Sequence, residues 1–190
     1  MAKTTVLQVK NMVCPRCIKV VETIIIKLGY HPIKVVLGEV YVKEILTKKD
    51  NQKINIALKE WGFELLYDKE EQLVSRLKSS IIDLIHYTEI NLNLTNSVYL
   101  SQQLNLTYAY LSKVFSQYEK ITIEKYIIQQ KIERVKELVS YNELSLKEIA
   151  YRLNYSSVQH LSKQFKSVMG ISITEFRKLE DKNRKTLDDL

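Results

Sequence analysis

LSLKEIAYRLNYSSVQHLSKQFKSVMGISITEFRK, residues 144–178, falls into a short amphipathic segment, a break at NYS and a second segment with Leu161 and Phe165 four residues apart on one face. A short helix, a tight turn and a second helix is helix-turn-helix grammar. The same grammar occurs earlier, in TNSVYLSQQL, NLT and YAYLSKVFSQY. Leu100 and Leu104 align with Ile149 and Leu153 at an offset of 49, whereas Leu111, Phe115, Ile121, Ile123 and Tyr126 align with Leu161, Phe165, Ile171, Ile173 and Phe176 at an offset of 50. One residue is therefore inserted in the second turn. The words LSKVF and LSKQF occupy matching places, and a merely duplicated helical bundle would not need such similar polar residues between its apolar ones. Between the repeats, TIEKYIIQQKIERVKELVS sets Ile128, Ile132, Val135, Leu138 and Val139 on one stripe, which predicts a long helix holding the two units at a fixed separation.

Outward from this core, 190 residues with 45% hydrophobic and 27% charged residues suit two small folded domains. Few glycines and prolines predict abundant helix. A formal net charge of +7 and a pI near 9.2 favour an anionic partner. The opening MAKTTVLQVK has no apolar signal core, and no run approaches the roughly 18 apolar residues of a bilayer span, so a cytoplasmic, non-membrane protein is expected.

Residues 76–178 resemble the DNA-binding domain of the AraC/XylS regulators. The resemblance rests on Ile149, Ala150, Tyr155, Ser156, Leu161, Phe165, Lys166, Gly170, Phe176 and Arg177. Asn154 stands where that family usually has glycine in the second turn, Lys120 where it has glycine after the first motif, and Ile173 where it has proline. The resemblance implies two recognition helices entering successive major grooves of double-stranded DNA. Carried over by position, the DNA-facing residues are Ala109, Ser112 and Lys113 in the first helix and Gln159, Ser162 and Lys163 in the second, flanked by Tyr110 and His160. Gln159 suits adenine N6 and N7, and either lysine suits guanine or phosphate. Thr107, Ser156 and Ser157 sit at helix starts, where hydroxyls cap backbone amides. Leu111, Phe115, Leu161 and Phe165 belong to the core.

The N-terminal third has a different texture. Thr5, Leu7 and Val9 alternate along a strand; Ile18, Val21, Ile25 and Leu28 recur at helical spacing up to Gly29. YHPIKVVL and EVYVKEIL form a hairpin through Gly38. Asp50 or Asn51 is expected to cap a second helix with Ile54, Ala57 or Leu58, and Trp61 on its stripe, followed by a strand FELLY. The order is βαββαβ, the split pattern of ferredoxin-like domains. From Asp68, Leu73, Leu77, Ile81, Leu84 and Ile85 predict one long helix, and Thr95 or Asn96 caps the next.

The only two cysteines lie in MVCPRC, at the start of the first helix. Pro15 suits a first helical turn, and free amides together with Arg16 should depress a thiol pKa. VLQVKNMVCPRCIKVVE resembles the metal loop of heavy-metal-associated domains, over residues 4–67. That resemblance implies that Met12 packs inward while Cys14 and Cys17 bind a soft ion, Cu(I) above all. Phe63 would shield the loop, and His31 is a strand-end residue or a third ligand. Pro15 and Arg16 replace the small residues common between the cysteines.

The expected organisation is an α+β, ferredoxin-like heavy-metal-associated-type domain (1–68), a connecting helix (69–92), an all-α AraC-type double helix-turn-helix domain (93–178) and a tail (179–190). The expected function is a transcription regulator sensing a soft metal ion such as Cu(I), with DNA, the ion and a second copy of the chain as partners. A thiol-redox regulator and a metallochaperone-like protein are the alternatives. No catalytic constellation accompanies the thiols, so the chain does not read as an enzyme.

Overall fold

The computed structural model describes residues 4–88, 94–179 and 187. The first part of the chain runs β1 (Thr5–Lys10), α1 (Pro15–Lys27), β2 (Pro32–Val36), β3 (Glu39–Val42), α2 (Lys48–Lys59) and β4 (Glu64–Leu65). The strands make a small antiparallel sheet in the order β2-β3-β1-β4. Alternation along β1 buries Leu7 and Val9 on the face covered by Val21 and Ile25 of α1 and by Ile54 and Leu58 of α2. Each such side chain removed from water contributes about 1.5–3 kcal/mol, which is what holds two helices on so short a sheet.

Three local expectations need correction. The N-cap of α2 is Thr47, not Asp50 or Asn51: Asp50 is the third helical residue and closes a capping box with Thr47. Trp61 lies past the end of α2 and is 62% exposed, because Gly62, at φ +80°, turns the chain there. FELLY pairs only through Glu64–Leu65 as a strand; the Leu66 N–H still donates to the Gln8 carbonyl at 2.9 Å, and Gln72 then takes the Leu66 carbonyl.

Asp68 caps α3 (Lys69–Ile82) by accepting from the Glu70 and Glu71 amides. The single long helix expected here ends instead in a π-turn (Asp83–Tyr87). Next come α4 (Asn96–Leu104), α5 (Tyr108–Glu119), α6 (Ile123–Tyr141), α7 (Leu146–Arg152), α8 (Val158–Met169) and α9 (Ile173–Arg177). Leu73, Leu77, Ile81 and Ile85 lie in one core with Leu100, Phe115, Tyr126, Val135, Phe165 and Phe176. The segment expected as both connector and first helix supplies a wall of the helical core. Residues 89–93 and the tail beyond Leu179, except Leu187, lie outside the described residues.

The opposite side of α3 meets the sheet. Arg76 pairs with Glu39 at 2.9 Å and Lys10 with Glu71 at 3.4 Å. Gly38, at φ +80° in the β2–β3 turn, comes so close to α3 that a Cβ there would stand 3.0 Å from the Ser79 hydroxyl. Glycine at this position satisfies both the left-handed turn and the close approach.

Candidate nucleic-acid interface and thiol loop

Each helix-turn-helix turn is built by a left-handed asparagine and a hydroxyl cap. Asn105 ends α4 at φ 53°, and Thr107 caps α5 by accepting from the Tyr110 amide. In the second motif Asn154 takes φ 55°, and Ser157 caps α8 from the His160 amide at 3.1 Å. Asparagine tolerates this backbone region better than most residues, so the missing glycine is accommodated. Ser156 does not cap; its hydroxyl lies 3.1 Å from the His160 ring. The longer second turn uses its extra length to bury Tyr155, whose hydroxyl donates to Gln164 at 2.7 Å and whose ring carries the Lys131 ammonium 5.0 Å from its centroid.

These caps set the faces of α5 and α8. Residues at i, i+3 and i+4 share a helix face, and Ala109, Ser112 and Lys113 match Gln159, Ser162 and Lys163 in register. Ala109, Lys113, Gln159 and Lys163 are exposed, with Ser112 and Ser162 half-buried in both repeats. Neither Lys113 nor Lys163 has a hydrogen-bond or ion-pair partner among the described residues, so both ammonium groups are available to an anion. Leu111, Phe115, Leu161 and Phe165 are buried at 1% exposure or less, which fixes the roll of each helix. Tyr110 and His160 remain at the surface.

The thiol loop links β1 to α1. Cys14 is the N-cap of α1 but makes no capping bond through its side chain, and Pro15 occupies the first turn. The Cys14 and Cys17 sulfurs lie 3.2 Å apart as free, half-buried thiols. Met12 is 2% exposed and sits in the first core with Phe63. The expected depression of a thiol pKa is reversed at Cys17. Burial there pushes the thiol up, and the Cys14 side chain adds to the rise, while bonding to the Val13 backbone opposes it. His31 pairs with Glu44 instead of joining the cysteines, and no cluster of three or more His, Cys, Asp or Glu side chains suited to a metal occurs among the described residues.

Sequence periodicity passed over Tyr87. Its hydroxyl donates to the Val13 carbonyl at 2.9 Å, and its pKa is pushed up to about 12, first by burial and then by the neighbouring Cys14 and Cys17 thiols. It also passed over a buried polar chain: His86 Nε2 lies 3.1 Å from Gln130 Oε1, and Gln130 Nε2 donates to the Tyr126 hydroxyl at 3.1 Å. The available signal was a histidine and a glutamine set among apolar residues in LIHY and YIIQQKI.

No described helix is long and apolar enough to cross a membrane. The helix-turn-helix domain family model matches residues 100–179. The Msm operon regulatory protein of Streptococcus mutans is 34% identical over 79 residues, which are 42% of this chain and 28% of that protein. The HTH-type transcriptional regulator YdiP of Escherichia coli is 29% identical over 79 residues, 42% of this chain and 26% of its own length. The chain thus spans under a third of either curated relative. Among solved structures, the C-terminal domain of AraT, a response regulator from Geobacillus stearothermophilus, is 24% identical and superposes with a TM-score of 0.50, covering 63% of this chain and 92% of that one. That likeness concerns the fold, and it coincides with the matched sequence and the paired capped helices. Residues 100–179 form a helix-turn-helix domain, by the matched family model and by the fold.

Proposed function

We propose that this protein is a sequence-specific transcription regulator of the AraC/XylS type that reads double-stranded DNA through α5 and α8. The carrying observation is the duplicated exposed set, Ala109, Ser112 and Lys113 with Gln159, Ser162 and Lys163, on helices rolled into register by buried Leu and Phe. Phosphate contacts by lysine supply affinity and salt dependence, and side chains such as Gln159 supply sequence discrimination. The test begins with DNA selected from a random pool by the full chain. Lys113→Ala and Lys163→Ala should each lower the slope of log affinity against log salt by about 1, and Gln159→Ala should cost about 1–3 kcal/mol and relax one base position. Unchanged affinity, slope and selectivity in all three variants would remove the DNA-reading assignment.

We further propose that residues 1–68 form a ferredoxin-like, heavy-metal-associated-type sensor whose ligands are Cys14 and Cys17, followed by the helical half through residue 178. The β1-α1-β2-β3-α2-β4 order and sheet order support that reading, and the donor set fits a soft ion: two thiols 3.2 Å apart over a buried Met12. Cys14 and Cys17 would hold Cu(I), whose positive charge would favour their thiolate forms. Cys14→Ser with Cys17→Ser should abolish Cu(I) uptake; retained uptake removes the sensor assignment. The same 3.2 Å separation favours a redox reading as well, in which peroxide takes two electrons and two protons from the thiols to close a disulfide. Free thiols by mass after mild peroxide treatment would discard it.

A further inference from the structure

The two halves of the molecule meet at a feature that neither the DNA contacts nor the thiols use. At Asp83 the α3 helix opens into the π-turn, closed by the Thr88 amide and hydroxyl, both donating to the Asp83 carbonyl, at 2.9 and 3.0 Å. Such one-turn insertions are rare within α-helices and frequently fall at functional sites. Here the turn presents two consecutive side chains to two different partners. Tyr87 reaches the Val13 carbonyl at 2.9 Å, one residue before Cys14. His86, 8% exposed, meets Gln130, which is fully buried within α6 and donates onward to Tyr126.

We propose that the π-turn Asp83–Tyr87 relays the state of the Cys14–Cys17 loop to α6, with Tyr87 and His86 as its positioning residues. The proposal rests on the reading of the thiols as sensing groups. The Val13 carbonyl is joined covalently to Cys14, the N-cap of α1, so a reaction or ligand that rearranges the two sulfurs turns that carbonyl. A 2.9 Å hydrogen bond weakens steeply when misaligned, and the Tyr87 hydroxyl must follow or let go. On the other side, Gln130 and His86 are both buried, and neither can lose its partner without leaving a desolvated polar atom. His86 and α6 therefore shift together. The relay would act by the π-turn taking up or releasing its extra residue, which would move α6, the helix that spaces the two helix-turn-helix motifs. Coupling between sites requires such a two-state element.

The experiment uses the full chain, with N-ethylmaleimide as a probe that modifies Cys14 and Cys17 without any metal, and follows amide hydrogen exchange by mass spectrometry. In the wild type, exchange should change in residues 83–88 and 126–134 as well as in 10–20. In Tyr87→Phe, which removes one hydroxyl and keeps the ring, the change should stay within 10–20. A wild-type response confined to 10–20, or an unaltered long-range response in Tyr87→Phe, overturns the relay. Cu(I) is then added to wild type and variant bound to selected DNA, where a sensing chain should change affinity by about 5-fold or more. That change should shrink below about 2-fold in Tyr87→Phe, and its survival at full size in the variant also overturns the relay. Long-range exchange with no Cu(I) effect on DNA binding would support the relay and retire the metal-sensing reading instead.

Discussion

The two helix-turn-helix motifs share a ring pair and differ in what it touches. Phe115 meets Tyr126 at 5.5 Å between centroids with tilted rings, and Phe165 meets Phe176 at 5.6 Å edge to face. In the first motif the second ring ends in a hydroxyl that receives the Gln130 amide, and the Lys78 ammonium sits 5.2 Å from its centroid. Lys78 also pairs with Glu119 at 3.2 Å, and Tyr118 donates to Asp68 at 2.8 Å. The first motif is thus fastened to α3, which carries the N-terminal sheet on its other side. The second packs on α6 and α9, and its polar contacts at Tyr155 stay within the helical half. A change in the N-terminal unit has a direct mechanical route to the first motif, whereas the second packs on α6 and borders the π-turn segment across a cavity shared by Leu84, Ile85 and Thr88 with Arg152 and Asn154.

The largest expected effect tests whether the motifs are equivalent as cores. Phe115→Ala and Phe165→Ala each remove a fully buried ring and should cost about 3–5 kcal/mol in urea unfolding. Near-equal losses support two equivalent units. If Phe165→Ala were mild, the second motif would be able to collapse around the cavity, and the two units would not be equivalent as cores.

A smaller effect isolates the polar difference. Tyr126→Phe keeps the ring but leaves the Gln130 amide without its hydroxyl partner at 0% exposure, which should cost about 1–3 kcal/mol by the same measurement. Phe176→Tyr places a hydroxyl at the matching buried position and should be destabilising by a similar amount. A neutral Tyr126→Phe would mean that the His86–Gln130–Tyr126 chain carries little energy, and the asymmetry between the motifs would lose its meaning.

Most of the helical half was legible because its signal is periodic and repeated. Leu100, Leu111, Phe115, Ile149, Leu161 and Phe165 recur at helical spacing, and all are buried. Ala109, Lys113, Gln159 and Lys163, which the resemblance marked as facing outward, are exposed. What escaped was non-periodic. A π-turn adds one residue to a helix whose apolar stripe already tolerates three- and four-residue steps, so Ile81 before it and Ile85 within it are both buried without marking it. Asp50 was assigned to the cap because an acid at the third helical position and an acid at the N-cap look alike until the backbone of Thr47 is known. Trp61 keeps the helical spacing but falls past the helix end. At Cys17 the helix start was visible in the sequence and the burial that outweighs it was not.

The smallest effect concerns the helix ends after the recognition helices. Lys120 and Gly170 are equivalent by the offset of 50, and both adopt the left-handed region, at φ 59° and 76°. A residue with a Cβ held there costs roughly 1–2 kcal/mol, partly offset because glycine has more backbone freedom to lose on folding, by about 0.5–1 kcal/mol. Lys120→Gly should therefore stabilise the protein by about 0.5–1 kcal/mol, and Gly170→Ala should destabilise it by about 1 kcal/mol. A Cβ on Gly170 would meet nothing within 4 Å, so its cost is backbone strain alone. Lys120 has one local compensation, its ammonium donating to the Gln117 carbonyl at 2.6 Å. Opposite signs for the two substitutions would show that both helix ends use the same geometry and that the first motif tolerates a strained residue there. A destabilising Lys120→Gly would show instead that the tie to Gln117 outweighs the strain, adding a further polar fastening to the motif that already carries more of them.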